Sequence, residues 1–185
     1  VVEPAQSPLL ERYLMQGQQW EMLVELYAQL YAEAPDNADL VLRYLAALYN
    51  TGKQDRLGDL VESIDLELFE SDTGPLAFLL YLKVLMGGFD PALHRSVEDL
   101  LAEYPEVFDF RLVTGFSYLL QGESPTARSF SEGMPTLQLS APRYIRVMAA
   151  LLDGQLNDRF GPAEMQHLLP RERYLLSQVA EAARG

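Results

Sequence analysis

The sequence predicts an all-α fold, an array of short antiparallel helix pairs closed by a terminal helix. Three observations carry that expectation. Helix start and stop signals cut the 185 residues into about eleven short segments. No stretch shows the sustained apolar–polar alternation and hairpin turn chemistry of half-buried strands. The run from Gly74 to Gly88 carries one charge, Lys83, so apolar side chains cover the whole circumference of the helix it forms. Such a helix is buried on all sides, or it waits for something to cover it.

The elements follow in order from their punctuation. Leu9 to Gln16 forms the first helix, ended by Gly17. Gln19 to Glu33 follows and stops before Pro35, whose ring disfavours helix in the residue before it. Asp36 or Asn37 caps the third, whose apolar residues Leu40, Val41, Tyr44, Leu45 and Leu48 run to Gly52. Gln54 to Phe69 makes the fourth, with Leu57, Leu60, Val61, Ile64 and Leu68 on one face. Pro75 opens the central helix, because its fixed φ suits a first turn, and Gly87-Gly88 ends it. Asp90 caps a helix that opens at Pro91 and ends before Pro105. Val107 to Gln121 is closed by Gly122. Ser124-Pro125 reads as a cap and first turn. Pro142 opens a helix to Gly154, Pro162 a short one to Leu169, and Pro170 the last, to Ala183. Links of two to five residues make neighbouring helices antiparallel.

A repeat lies under this pattern. Gly17, Gly52, Gly88 and Gly122 each close the first helix of a pair, at spacings of 35, 36 and 34 residues, and Gly154 follows 32 later. In the fourth unit Gly115, Tyr118, Gly122 and Ala127 fall at small, aromatic, turn and small positions. Tyr81, Val84, Gly88 and Pro105 hold comparable places in the third, Tyr44, Leu45, Leu48 and Gly52 in the second, and Tyr13, Gly17 and Pro35 in the first. On these residues, over about positions 5 to 155, the chain resembles the tetratricopeptide repeat family. It departs from that family in lacking its signature Trp and in holding Leu57 and Leu93 where alanine is usual. The resemblance implies a right-handed superhelical array of about five antiparallel helix pairs, a TPR-like α-solenoid with a C-terminal capping helix. As one domain of 185 residues, it would divide into units of about 5–35, 36–72, 73–105, 106–138 and 139–169, with the cap at 170–185.

Composition narrows the partners. A formal charge of −13 repels phosphates, which argues against nucleic acid and anionic membrane surfaces. The absence of cysteine removes disulfides, thiolate nucleophiles and most structural zinc sites, and leaves the compartment open. No apolar run reaches the ~18 residues of a membrane span. The start at Val1, with Pro4 and Pro8 close by, reads as a processed piece of a longer protein. The compartment stays open between the cytoplasm and, if a signal or anchor was trimmed upstream of Val1, the periplasm or export.

Nothing marks catalysis. His94 and His167 lie far apart in sequence, outside any spaced ligand motif, and read as structural or surface groups. Ser129 and Ser131, and Ser140 before Ala141-Pro142, sit at helix or loop edges without a strand-to-helix elbow. No glycine cluster opens a helix after a strand, so no phosphate cradle is expected. The acids Asp55, Asp59, Glu62, Asp65, Glu67, Glu70 and Asp72 cluster, and the stripe Asp55, Asp59, Glu62 lies opposite the apolar face, where water should screen it. No cofactor or metal is expected.

The positive signal is the inner face. In a stacked array of helical hairpins the first helices line the concave surface. Offsets from the closing glycines place Leu42, Ala46 and Tyr49 there, then Phe78, Leu82 and Leu85, then Leu112, Phe116 and Leu119, then Tyr144, Met148 and Leu151. Almost none is polar. That argues against a carboxylate-clamp groove of Lys and Asn, since Arg43, Arg111, Arg143 and Arg146 scatter over other faces. Each large apolar side chain is worth ~1.5–3 kcal/mol when buried, so an open stripe of them marks an interaction site. The expected function is a non-enzymatic adaptor that binds a hydrophobic or amphipathic protein segment in this groove. Two other coverings remain open: a second copy of the chain, as a homodimer, or the chain's own terminal helices. Either would fit a soluble spacer or regulatory domain of a larger, membrane-attached or exported protein.

Overall fold

The computed structural model describes residues 7–134, 141–155 and 160–182, apart from the side chains of Ser7 and Tyr13, and among them there is no β-strand. The helices form two compact units, residues 1–69 and 70–185. Their boundary falls close to the junction that the repeat places between its second and third pairs.

The first unit holds α1 (Ser7–Gln16), α2 (Trp20–Glu33), α3 (Ala38–Thr51) and α4 (Gln54–Ser63), followed by a 3-10 turn, Leu66–Phe69. Each helix packs on the next, α2 between α1 and α3, and α3 against α4. Leu14, Leu23, Val24, Val41, Leu45, Leu48, Leu57 and Val61 form the core. The expected punctuation works locally. The Leu40 N–H donates to the Asn37 side chain at 3.1 Å, which satisfies an N–H the helix leaves free. Gly52 closes α3 at φ 70°, a left-handed conformation that costs glycine nothing.

The fourth helix is shorter than the sequence suggests. It leaves helical geometry at Ile64, which is extended, rather than running on to Phe69. The Ser63 hydroxyl donates to the Leu60 carbonyl at 2.8 Å, offering that carbonyl a partner other than the next turn. The break lets both Ile64 and Phe69 turn inward; they are 4 % and 3 % exposed. A straight helix would have pointed Phe69 away from the stripe that ends at Leu68.

The second unit contains α5 (Thr73–Gly87), α6 (Pro91–Glu103), α7 (Phe108–Leu120), α8 (Ser124–Ser129), α9 (Arg143–Asp153), α10 (Pro162–Met165) and α11 (Pro170–Ala182). The central helix starts earlier than Pro75. Asp72 caps it by accepting the Gly74 N–H at 3.3 Å, so Pro75 falls third in the helix, where its missing N–H still has no helical partner to lose. Leu76 through Leu82 are buried without a break, so α5 is covered on every side. α10 stops at Met165, short of Leu169. The expected ends of the fourth pair near Thr136 and of the last helix at Ala183 lie outside the described residues.

α7 is the hub of this unit and packs against α5, α6, α8 and α9. It packs tightly at Gly115, where a Cβ would stand 2.8 Å from Phe130 Cβ and 3.0 Å from Leu152 Cδ1. Gly58, inside α4, has nothing within 4 Å of a Cβ. The same substitution should therefore act with opposite signs. Gly115→Ala is expected to destabilise the protein by about 1–3 kcal/mol through overpacking. Gly58→Ala should stabilise it by about 0.4–1 kcal/mol through the unfolded chain. Chemical denaturation of both variants checks this.

Candidate functional site

The expected inner-face residues divide by burial. Tyr49 in the first unit is buried, and so are Phe78, Leu82, Leu85, Leu112, Phe116 and Met148 in the second. Leu42, Leu119 and Tyr144 are half-buried. In the second unit the covering is visible: α11 lies against α9 and α5. Phe78, Tyr81, Phe116 and Tyr144 form one aromatic cluster, with ring centroids 5.0 Å apart for Phe78–Tyr144, 5.6 Å for Tyr81–Tyr144 and 5.7 Å for Tyr81–Phe116. Tilted rings at these separations add attraction beyond their buried area.

Glu172 fastens the cover. It is fully buried, yet its carboxylate has partners on three elements. It accepts the Tyr81 hydroxyl at 2.6 Å and the Leu169 N–H at 2.8 Å, and the Arg143 guanidinium stands 3.9 Å away. The Leu169 bond is half of a capping box, because Glu172 is the third residue of α11 and reaches back to the residue before it. One side chain thus caps α11, ties it to α5 and faces the first turn of α9. Nothing local in the sequence signals a partner for Glu172 91 residues away.

An open cleft remains beside this cover. A cavity of about 840 Å³ lies where the ends of α7 and α9 meet α8 and α11. Leu119, Leu120, Leu151, Leu175 and Val179 wall it, and Arg128, Glu132 and Gln178 stand among them. Leu119 and Leu151 are the inner-face residues that reach it. The other walls come from α11 and from Leu120, one residue off the expected stripe. Apolar walls with a few polar groups suit a segment that presents apolar side chains.

A second cluster joins α6 to α7. His94 Nδ1 is 2.8 Å from Ser117 Oγ, and His94 Nε2 is 3.6 Å from Glu98 Oε1. The Tyr118 hydroxyl donates to the same Glu98 oxygen, and its ring meets His94 edge-on at 4.6 Å and Phe130 stacked at 5.6 Å. Serine, histidine and carboxylate in a row is the order of a nucleophilic triad, but the rest of the chemistry is missing. Ser117 is 3 % exposed. It sits near the C-terminal end of α7, where its own N–H is committed to the helix and does not serve an oxyanion position. The arrangement works as a polar clasp between α6, α7 and α8. Neither His94 nor Ser117 belongs to a local motif, and only folding brings them together.

Two other carboxylates show how position sets proton affinity. Burial raises Asp109 above the usual carboxylate range, and the Tyr144 hydroxyl, donating to it at 3.0 Å, offsets only part of that. Burial first, and then Asp109, pushes the Tyr144 phenol up. The Gly161 N–H at 3.0 Å, and then Arg146 at 2.8 Å, hold Glu164 below its usual range. Arg146 is 7 % exposed, donates to the Ala141 carbonyl at 3.1 Å and lies over the Phe160 ring at 5.2 Å. The stripe Asp55, Asp59, Glu62 is exposed, as its position opposite the apolar face implies. Among the described residues no group of three or more His, Cys, Asp or Glu is placed to hold a metal, and no helix is long and apolar enough to cross a membrane.

These shifts predict opposite pH responses. A lowered carboxyl pKa contributes stability above the unfolded value that is lost as pH falls through the folded one. Glu164→Gln should therefore lower Tm at neutral pH, and the difference should shrink in strong acid. A raised carboxyl pKa favours the folded state only where the proton stays on, so Asp109 costs stability as pH rises from its unfolded value through its raised folded one. The Tm of Asp109→Asn relative to the parent should accordingly move in the variant's favour as pH rises. Thermal unfolding followed by circular dichroism from acid to neutral pH checks both slopes.

Comparison with protein-family models, curated proteins and solved structures found no match.

Proposed function

We propose that this chain is a non-enzymatic binding module that holds an apolar or amphipathic segment of a partner protein in the cleft between the ends of α7 and α9 and the helices α8 and α11. The cleft carries the reading: a concavity of about 840 Å³ walled by leucine and valine. An apolar helix laid into such a groove is read through side chains spaced three and four residues apart. The architecture we propose with it is a divergent tetratricopeptide-like array of about five helix pairs. The packing order within the second unit supports it: α5 lies against α7 and α7 against α9, with α6 and α8 beside α7. Gly115 and the buried Ala127 support it too, since close helix approach needs small residues there.

A second reading is a spacer or regulatory domain whose apolar stripe is simply core. The burial of Phe78, Leu82, Leu85, Leu112, Phe116 and Met148, together with the packing of α11 on α5 and α9, favours it. The two readings differ in what the cleft does. Displayed peptide libraries panned against the parent and against Leu175→Asp/Val179→Asp separate them, because both substituted residues are half-buried and accessible from the cleft. The binding reading expects enriched peptides with helical apolar spacing, held at least about tenfold more weakly by a variant that unfolds like the parent. Peptides that bind both proteins equally, or no enriched pattern, would leave the spacer reading standing.

A further inference from the structure

We infer that the groove between α1 and α2 in the first unit is a docking site for a basic amphipathic helix of another protein. The groove encloses about 460 Å³, with Leu10, Leu14, Met22 and Leu26 on its floor and Glu21 and Glu25 along its edge. Three exposed large apolar residues stand on these two helices: Leu9 at 74 %, Met22 at 56 % and Met15 at 49 %. Methionine is unbranched and polarizable, so it repacks around whatever it meets and suits a docking surface.

Charge selects the occupant. The first 69 residues hold twelve Asp and Glu against four Lys and Arg, a net charge of −8. Most of those cations are already engaged. Arg43 meets Glu11 at 2.6 Å and Asp39 at 2.8 Å, Arg56 meets Glu25 at 2.6 Å, and Lys53 meets Glu21 at 3.0 Å. The Glu21 and Glu25 side chains are still 68 % and 66 % exposed, so each offers its free oxygen lone pairs to a second cation across the groove. A second copy of the chain would bring −8 against −8, and like charges facing each other oppose association. A nucleic acid or anionic bilayer is repelled for the same reason. A partner helix with leucine-type residues at three- and four-residue spacing, flanked by Lys or Arg, meets both the floor and the edges.

The test uses the full chain and three labelled peptides of about five turns. One is an amphipathic Leu/Lys helix, one the same composition scrambled, and one the Leu/Glu counterpart. Fluorescence anisotropy at two salt concentrations reads binding. The expected result is saturable binding of the Leu/Lys helix alone, weakened by salt. Met22→Gln, which removes an exposed apolar anchor without changing charge, should reduce affinity by about tenfold or more at unchanged Tm. Leu175→Asp/Val179→Asp, in the other unit, should leave it unchanged. Equal binding of the scrambled peptide, indifference to Met22→Gln, or a dimer of the chain that Met22→Gln dissociates would each overturn the inference. Loss of binding in the Leu175→Asp/Val179→Asp variant would place the helix in the other cleft, and overturn it too.

Discussion

The second unit depends on one constraint, that α5 has no side fit for water. Seven consecutive residues, Leu76 to Leu82, are buried, so neighbours must surround the helix rather than line one flank. An amphipathic helix needs a single partner; one that is apolar all round needs a cage. In its own unit α7 and α11 supply walls of that cage, although α11 begins 83 residues after α5 ends. This closure is of long range in sequence and must be stabilised before it forms, because loop closure costs entropy before contacts return it. Glu172 resolves part of that problem by making the late helix its own partner. It caps α11 locally and meets Tyr81 only once α11 is docked.

Several buried or half-buried polar groups share one design: each is held by more than one element, which meets its hydrogen-bonding need in a low-dielectric interior. Glu172 joins α5, α9 and the turn before α11. Arg146 joins α9 to the Ala141 carbonyl, Glu164 and the Phe160 ring. In the first unit Glu11 receives both the Tyr27 hydroxyl at 2.7 Å and Arg43 at 2.6 Å, which ties α1 to α2 and α3. Removing one member of such a set strands the others, whereas an apolar replacement of the whole set need not be costly. These groups therefore fix which helix sits where more than they add to the net stability, which comes from the apolar core around them.

What the sequence makes legible follows from how local its cause is. Helix ends set by one residue are read correctly: Asn37 and Asp90 cap with their own side chains, and Gly52 and Gly154 turn left-handed. The all-helical class follows from the same punctuation. Ends set by two competing causes are read less well. Pro75 is a strong start signal, but Asp72 is a better cap two residues further back than a proline start needs. The break at Ile64 answers to the burial of Phe69, which no periodicity of the preceding helix announces. The apolar character of these helices is legible residue by residue, because offset from a closing glycine fixes helical phase. Their covering is not, because the bond between Tyr81 and Glu172 crosses 91 residues and leaves no spacing to find. The clasp of His94, Ser117 and Tyr118 escapes for the same reason.

Caging α5 and displaying apolar surface elsewhere are linked. A chain that spends its large side chains on closing one helix uses its later elements as lids, and a lid has an outer edge. In the second unit that edge is Leu175 and Val179 of α11, which look into the cleft while Leu176, next in the chain, is fully buried. In the first unit the analogous edge is α1, which packs on α2 and leaves Leu9 and Met15 in water. An array of helix pairs buries each pair against the next, so its unpaired flanks are where apolar area is left over. The acid excess is also uneven, −8 in residues 1–69 against −5 in residues 70–185. Two apolar edges set in unequal negative fields would differ in their attraction for a cationic segment, which the net charge makes stronger in the first unit. Discrimination between segments would then reside in charge, with the apolar walls supplying affinity common to both.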